Sequence, residues 1–158
     1  MGLKETINEI GKKAKKASFE LAMVDDKTKS LSLISASKEL MRNKKNILSE
    51  NKKDVSKALK KKLNKALIDR LLLDSDRIDS ICKGMEDISK LNNPVGKKLS
   101  SWRRPNGLKI EKVSVPLGVI GVIYESRPNV SADAAALCLK SSNATILRGG
   151  SESFFSSS

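Results

Sequence analysis

Two short apolar runs flank an alanine-rich stretch in the last third of this chain, and that order dictates a crossover. Val119-Ile120-Gly121-Val122-Ile123-Tyr124 has no polar alternation, the pattern of a strand buried on both faces. Ser131 can cap a helix from Ala132 to Lys140, whose Ala134-Ala135-Ala136 run favours close packing on a sheet. Ser141-Ser142-Asn143 turns the chain, and Ala144-Thr145-Ile146-Leu147 repeats the buried-strand pattern. Arg148-Gly149-Gly150-Ser151 opens another helix start, and the Phe154–Ser158 tail reads as its first turn, since adjacent Phe rings sit poorly in a solvated tail. Strand, helix, strand is a βαβ unit, with parallel strands and a right-handed crossover. A parallel sheet needs helices on both faces. One crossover helix covers only one, so the expected class is α/β with part of a Rossmann-like sheet, incomplete within these residues.

The preceding residues read as helices. Leu3, Ile7, Ile10, Ala14, Ala17 and Leu21 step by four and three along one stripe. A second helix is expected from Thr28 to Asn43 with Leu31, Ile34 and Leu40 inward, then shorter pieces around Ile47 and from Val55 to Leu59. Leu67, Ile68, Leu71 and Leu72 cluster, and Ser75 can cap a helix carrying Ile78, Ile81, Met85, Ile88 and Leu91. Asn93-Pro94-Val95-Gly96 ends it. After the Pro105-Asn106-Gly107 turn, Leu108 to Glu111 alternates, and Val113 and Val115 resume out of phase, which predicts a bulge in a half-exposed strand. The expected division is a helical part over 1–96 and a βαβ part over 97–158.

Composition narrows the chemistry. There is no histidine, which removes Ser-His and Cys-His nucleophile pairs and histidine metal sites. Cys82 and Cys138 fit neither a zinc cluster nor a disulfide framework, which predicts a reducing cytoplasm, and both read as packed core thiols. No apolar run approaches the ~20 residues of a membrane span. Met1-Gly2 with Thr6 matches a short myristoylation pattern, but the bland reading is the start of an amphipathic helix. The net charge is +13, with most of the surplus in the first hundred residues. One reading is a basic nucleic-acid-binding module using Lys57, Lys60, Lys61, Lys62 and Lys65. The stretch has no interleaved aromatics, and three consecutive lysines spread around a helix, so a solvated face is expected instead.

Two loops carry the candidate chemistry. Ligands gather at the carboxyl ends of parallel strands, where Tyr124-Glu125-Ser126-Arg127-Pro128-Asn129 leads into a helix. Arg127 attracts anions, and Asn129 offers an amide to a developing oxyanion. On position alone the alternative stands equally, with Arg127 paired to Glu125 and Asn129 capping the helix. In the second loop, Gly149 and Gly150 let backbone approach a phosphate or ribose, and Arg148 suits a phosphate. A tight turn explains the same glycines.

The run from Val115 through Tyr124-Glu125-Ser126-Arg127-Pro128-Asn129-Val130 closely resembles the γ-glutamyl phosphate reductase family. Asp133 to Lys140 and Asn143 through Ile146-Leu147-Arg148-Gly149-Gly150-Ser151-Glu152 continue the likeness. Ala14 to Ser18, Ile47 to Asp54 with Asn51, Leu67-Ile68-Asp69-Arg70-Leu71 and Asn93-Pro94-Val95-Gly96 extend it upstream. The resemblance implies an aldehyde dehydrogenase-like fold and NADPH-dependent reduction of L-glutamyl 5-phosphate to glutamate 5-semialdehyde and phosphate, in proline biosynthesis, through a cysteine thioester. It implies that Arg148, Gly149, Gly150, Ser151 and Glu152 bind NADP, Asn129 holds the oxyanion and Arg127 meets the substrate's phosphate or carboxylate. It further implies association with glutamate kinase and a homo-oligomer of the complete enzyme, with no metal. Two departures matter: Ser142 stands where the family usually has Gly, and Cys138 matches a family cysteine that is not the nucleophile. The chain resembles the amino-terminal third of the enzyme and lacks the catalytic thiol.

Overall fold

The computed structural model describes residues 2–157, so Met1 of the myristoylation pattern and Ser158 of the tail lie outside the described residues. Five helices come first: α1 (Leu3–Ala22), α2 (Asp26–Arg42), α3 (Lys44–Lys60), α4 (Lys65–Leu71) and α5 (Ser75–Ser89). β1 (Lys98–Arg103) and β2 (Lys109–Val113) form an antiparallel hairpin. β3 (Val119–Ile123), α6 (Asn129–Lys140) and β4 (Ala144–Arg148) follow, then a 3₁₀ turn (Ser151–Ser153) and α7 (Phe154–Ser157). β3 and β4 pair in parallel from Val119 opposite Ala144 to Ile123 opposite Arg148, the expected βαβ order.

Short polar side chains start the helices. Asp25 accepts from the Thr28 amide at 2.8 Å, Asn64 from Leu67 at 2.8 Å and Asp74 from Arg77 at 2.8 Å. Asp74, not Ser75, therefore caps α5. Nor does Ser131 cap α6. That helix begins two residues earlier, behind Pro128, whose fixed φ suits a first turn, while the Ser131 hydroxyl bonds the Tyr124 hydroxyl.

α6 packs against α2 and α5, and the core centres on Leu33, Met85 and Ala136, with Leu40, Ile81, Ile88, Ala132 and Leu139 around it. Both cysteines are buried, as expected. The expected inward face of α2 is only partly right. Leu31 is 54% exposed, and the buried stripe is Lys29, Leu33 and Ser37. The two short pieces expected after α2 are one helix, α3, whose buried stripe is Asn51, Asp54 and Ala58. In both helices polar members of the stripe bond across to neighbouring elements, so apolar spacing misplaces the buried face.

Lys29 is 1% exposed and donates to Asn93 Oδ1 at 3.2 Å, Lys140 O at 3.3 Å and Ser142 Oγ at 2.9 Å. Lys140 Nζ, also buried, reaches Asp26 Oδ2 at 3.0 Å, Ser30 Oγ at 2.9 Å and Ser89 O at 3.1 Å. This network joins the start of α2 to the ends of α5 and α6. Ser142 takes the left-handed φ of +57° where glycine is the strain-free residue. Its hydroxyl is held by Lys29, a contact glycine lacks.

Three expectations about exposure and register are corrected. β3 is not buried on both faces: Ile123 is 80% exposed, because only β4 pairs with it among the described residues. On α1 the Leu3, Ile7 and Ile10 stripe is exposed, since a helix of about 30 Å overhangs a sheet two strands wide. The bulge lies in β1 rather than β2. Leu99 is the extra residue between Lys98, opposite Val113, and Ser100, opposite Lys112, and the hairpin is exposed at nearly every position.

Candidate active site

The register places Ile123 and Arg148 side by side at the carboxyl end of the parallel pair. The two candidate loops therefore leave one edge, and the Tyr124 amide bonds Arg148 O at 3.1 Å. They do not share one cavity. Arg127 and Asn129 line a cleft of about 390 Å³ whose opposite wall is the α4–α5 corner, with Asp69, Arg70 and Arg77. Arg148 to Glu152 lie outside that cleft.

The loop after β3 is rigidly seated. Ser126 is buried and left-handed, φ +43°, and Pro128 is buried behind it. Arg127 is exposed between them and its guanidinium makes no ion pair or hydrogen bond among the described residues, so the alternative of a Glu125 pairing is not what holds it. The Asn129 amide donates to Asp133 Oδ2 at 3.1 Å, one turn on in α6, leaving one amide hydrogen uncommitted.

Arg77 is fully engaged. It donates to Asp69 Oδ1 at 2.7 Å, to Leu72 O at 2.8 Å and to Asp69 O, closing α4 onto α5. Asp69 is thereby taken, and Arg70 beside it has no partner among the described residues. Apolar spacing gave no sign of the corner's role. The available signal was the Asp69-Arg70 doublet at the end of α4, where two charges follow an apolar pair.

At the second loop the glycines are explained from within the protein. A Cβ on Gly149 would stand 3.1 Å from the Tyr124 hydroxyl oxygen and 3.2 Å from the ring carbon bearing it. A Cβ on Gly150 would stand 2.5 Å from Glu152 Oε2. Both glycines thus serve a tight turn in which the ring and the carboxylate crowd the positions a Cβ would take. Arg148 and Ser151 remain exposed, the Arg148 guanidinium without a partner among the described residues, and Ser151 Oγ lies 3.1 Å from Glu152 Oε1. An exposed guanidinium with no side-chain partner at a strand's carboxyl end suits an anion such as a phosphate monoester. Gly149→Ala is expected to displace the Tyr124 ring and cost about 1–2 kcal/mol, read as a fall in the urea midpoint. An unchanged midpoint would mean the ring moves freely.

Both thiols are poorly placed for nucleophilic work. Cys82 is 4% exposed, and burial pushes its thiol above its ordinary range. Cys138 is buried in α6. Among the described residues no group of three or more His, Cys, Asp or Glu is arranged to hold a metal, and no helix is long and apolar enough to cross a membrane. The ammonium groups of Lys53 and Lys57 stand 5.8 and 4.1 Å from the Phe155 ring centroid, while Lys60, Lys61, Lys62 and Lys65 are exposed around the end of α3.

Comparison with known proteins carries the site further. No family model matches the chain. It is 52% identical over 151 residues to a γ-glutamyl phosphate reductase of Paramagnetospirillum magneticum, covering 96% of this chain and 36% of that protein. It is 49% identical over 142 residues to that of Clostridium beijerinckii, covering 90% and 34%. Among solved structures, the γ-glutamyl phosphate reductase of Thermotoga maritima superposes with a TM-score of 0.91 at 40% identity, covering 94% of this chain and 36% of that one. The Saccharomyces cerevisiae enzyme gives 0.90 at 36% identity. The resemblance read from the sequence is borne out along almost the whole chain, as is the α/β class, while the nucleic-acid reading gains no support. The chain spans about a third of the length of the curated relatives it matches.

Proposed function

We propose that this chain contributes the substrate cleft and part of the NADP site of a γ-glutamyl phosphate reductase, which reduces L-glutamyl 5-phosphate to glutamate 5-semialdehyde with release of phosphate. The observation that carries the proposal is the match at about half identity along 96% of the chain. The geometry agrees with it, because Arg127 and Arg148 stand unpaired at one edge of a parallel sheet. In this reading the helical part, 1–96, backs the cleft and the 97–158 part carries the Rossmann-like cofactor edge. The location is cytoplasmic, consistent with two reduced cysteines. Association with glutamate kinase and a homo-oligomer of the complete enzyme belong to the same reading.

Each residue has a role that its position allows. Arg148 and Ser151 hold the adenosine-side phosphate, and Glu152, hydrogen-bonded to Ser151, orients toward ribose hydroxyls. Gly149 and Gly150 keep the turn tight enough for Tyr124 to pack on it. NADPH, when bound, supplies the hydride. Asn129 offers its free amide hydrogen to the carbonyl oxygen as charge develops there, and its bond to Asp133 fixes the amide's direction. Arg127 meets an anionic group of the substrate. The thiol that forms the thioester is neither Cys82 nor Cys138, both of which are buried.

The test is a chimera in which residues 2–157 replace the matching segment of the Thermotoga maritima reductase. Oxidation of glutamate 5-semialdehyde with NADP and phosphate should proceed. Arg148→Ala should raise KM for NADP about tenfold or more and change kcat little, the signature of lost ground-state binding. An inactive but folded chimera would remove the activity proposal, and an unchanged KM would remove Arg148 from the cofactor site.

A further inference from the structure

The cleft between the α4–α5 corner and the start of α6 holds charges of both signs in a definite pattern. Of its three arginines, Arg77 is consumed by Asp69 and by backbone carbonyls. Arg70 and Arg127 face the same space from opposite walls, and neither guanidinium has a partner among the described residues. On the α6 wall Asp133 Oδ2 accepts from the Asn129 amide, and its side chain lies over Gly84 of α5, where Oδ1 is 3.9 Å from a Cβ built there. Two free guanidinium groups therefore face one carboxylate that is hydrogen-bonded on one oxygen only.

That pattern selects among anions. A phosphate entering the cleft would meet Asp133, and also Asp69 near the rim, as repelling neighbours. A carboxylate that carries an ammonium on the adjacent carbon meets no such conflict: its carboxylate suits the planar guanidinium fork and its ammonium suits a carboxylate. We infer that Arg70 and Arg127 bind the α-carboxylate, and Asp133 the α-ammonium, of an amino-acid ligand, which makes this cleft the head-group subsite for a zwitterion rather than a phosphate site. The inference rests on the reductase reading for the identity of the amino acid as glutamyl. It adds to that reading by bringing Arg70, from the helical part, into substrate recognition and by assigning the carboxylate rather than the phosphate to Arg127. It also explains the arrangement of the corner. Arg77 neutralises Asp69 and fixes α4 against α5, so that Arg70 is left charged and unengaged.

The experiment is isotope-edited NMR of the purified chain titrated separately with L-glutamate, glutarate, 4-aminobutyrate and inorganic phosphate. L-Glutamate should shift resonances of Arg70, Arg127 and the first turn of α6. Glutarate, without the ammonium, and 4-aminobutyrate, without the α-carboxylate, should each bind about tenfold or more weaker. Arg70→Gln should weaken L-glutamate to a similar degree, and Asp133→Asn should abolish its advantage over glutarate. Both residues lie at the cleft surface, so the folded spectrum is the control. Phosphate binding tighter than L-glutamate, no glutamate binding, or glutamate binding indifferent to Arg70→Gln would each overturn the inference. These outcomes are separable from the fate of the reductase reading. An inactive chimera with a glutamate-binding chain would strike the activity alone, whereas an active chimera with glutamate binding unaffected by Arg70→Gln would strike the subsite alone.

Discussion

Asp26→Ala is expected to lower stability by about 3–5 kcal/mol, although the residue is only partly buried. Its carboxylate is the acidic partner of two buried ammonium groups, with Lys140 Nζ 2.9 Å from Oδ1 and Lys29 Nζ 3.9 Å from it. Removing it leaves Lys29 and Lys140 charged, close together and held only by neutral acceptors. Leaving a buried charge uncompensated costs far more than losing a surface pair. Asp87→Ala, which removes the exposed partner of Lys90, should by comparison cost about 0.5 kcal/mol or less. Urea unfolding of the three proteins decides the matter, and a cost for Asp26→Ala near that of Asp87→Ala would mean that water reaches the two lysines.

The same network has a pH signature. Burial lowers the Lys29 pKa below its ordinary value; Lys140 lowers it further, while Asp26 and Asp25 raise it. A lysine whose folded pKa is depressed contributes stability above its unfolded pKa, and that contribution is lost as pH falls through the folded value. In its charged form Lys29 therefore opposes folding. Without Asp26 the folded pKa drops further, so the variant begins to recover stability at a lower pH than the wild type. The gap between their urea midpoints should narrow as pH rises from 7 toward 10. A gap independent of pH would show that the charge of Lys29 is not the source of the loss.

These elements also show where sequence reasoning reaches and where it stops. The βαβ unit was legible because its signals are local: an apolar run, an alanine-rich helix, a second apolar run. Helix positions were legible in the main from apolar spacing, but the capping residues Ser75 and Ser131 misplaced the starts of α5 and α6. Their buried faces were less so. Lys29, Ser37, Asn51 and Asp54 sit at buried positions because partners far along the chain satisfy them, such as Ser142 for Lys29 and Cys82 O for Ser37 at 3.1 Å. A polar residue at a helix position reads as solvent-facing unless its distant partner is known. The exposed Leu3, Ile7, Ile10 and Ile123 show the converse, since an apolar side chain announces burial without saying which element provides it. The positions of Arg127, Asn129 and Arg148 at the carboxyl end of the parallel pair were legible because they sit at or just after the strands. Arg70 and Asp133 were missed as cleft residues because only the packing of the α4–α5 corner against α6 brings them face to face.

Asp54→Ala is the second large effect, expected at about 2–4 kcal/mol. The carboxylate is 1% exposed, forms no ion pair among the described residues and accepts from three donors of the last turn. These are Phe155 N at 3.2 Å, Ser156 N at 2.8 Å and Ser156 Oγ at 2.5 Å. It thus supplies from α3 the cap that the Gly149-Gly150-Ser151 turn does not supply locally, since Gly150 precedes the 3₁₀ turn without a side-chain bond. Truncation leaves two amides unpaired beneath α3, whereas Asp54→Asn keeps one accepting oxygen and should recover part of the loss. Asn51, one turn earlier, bonds Ser156 Oγ at 2.9 Å and also Leu71 O at 2.9 Å and Leu73 N at 2.8 Å. The pair ties the α4–α5 corner of the cleft to the segment that follows Arg148. Amide exchange at Phe155 and Ser156 should accelerate strongly in Asp54→Ala, while exchange at Leu73 should accelerate in Asn51→Ala. The double variant should lose less than the sum of the singles, because both residues hold Ser156. In the active chimera Asp54→Ala should raise KM for NADP without contact with the cofactor, and Asp54→Asn should restore part of it. A KM unmoved in a folded Asp54→Ala chimera would confine the tether to stability and separate it from the Arg148 turn.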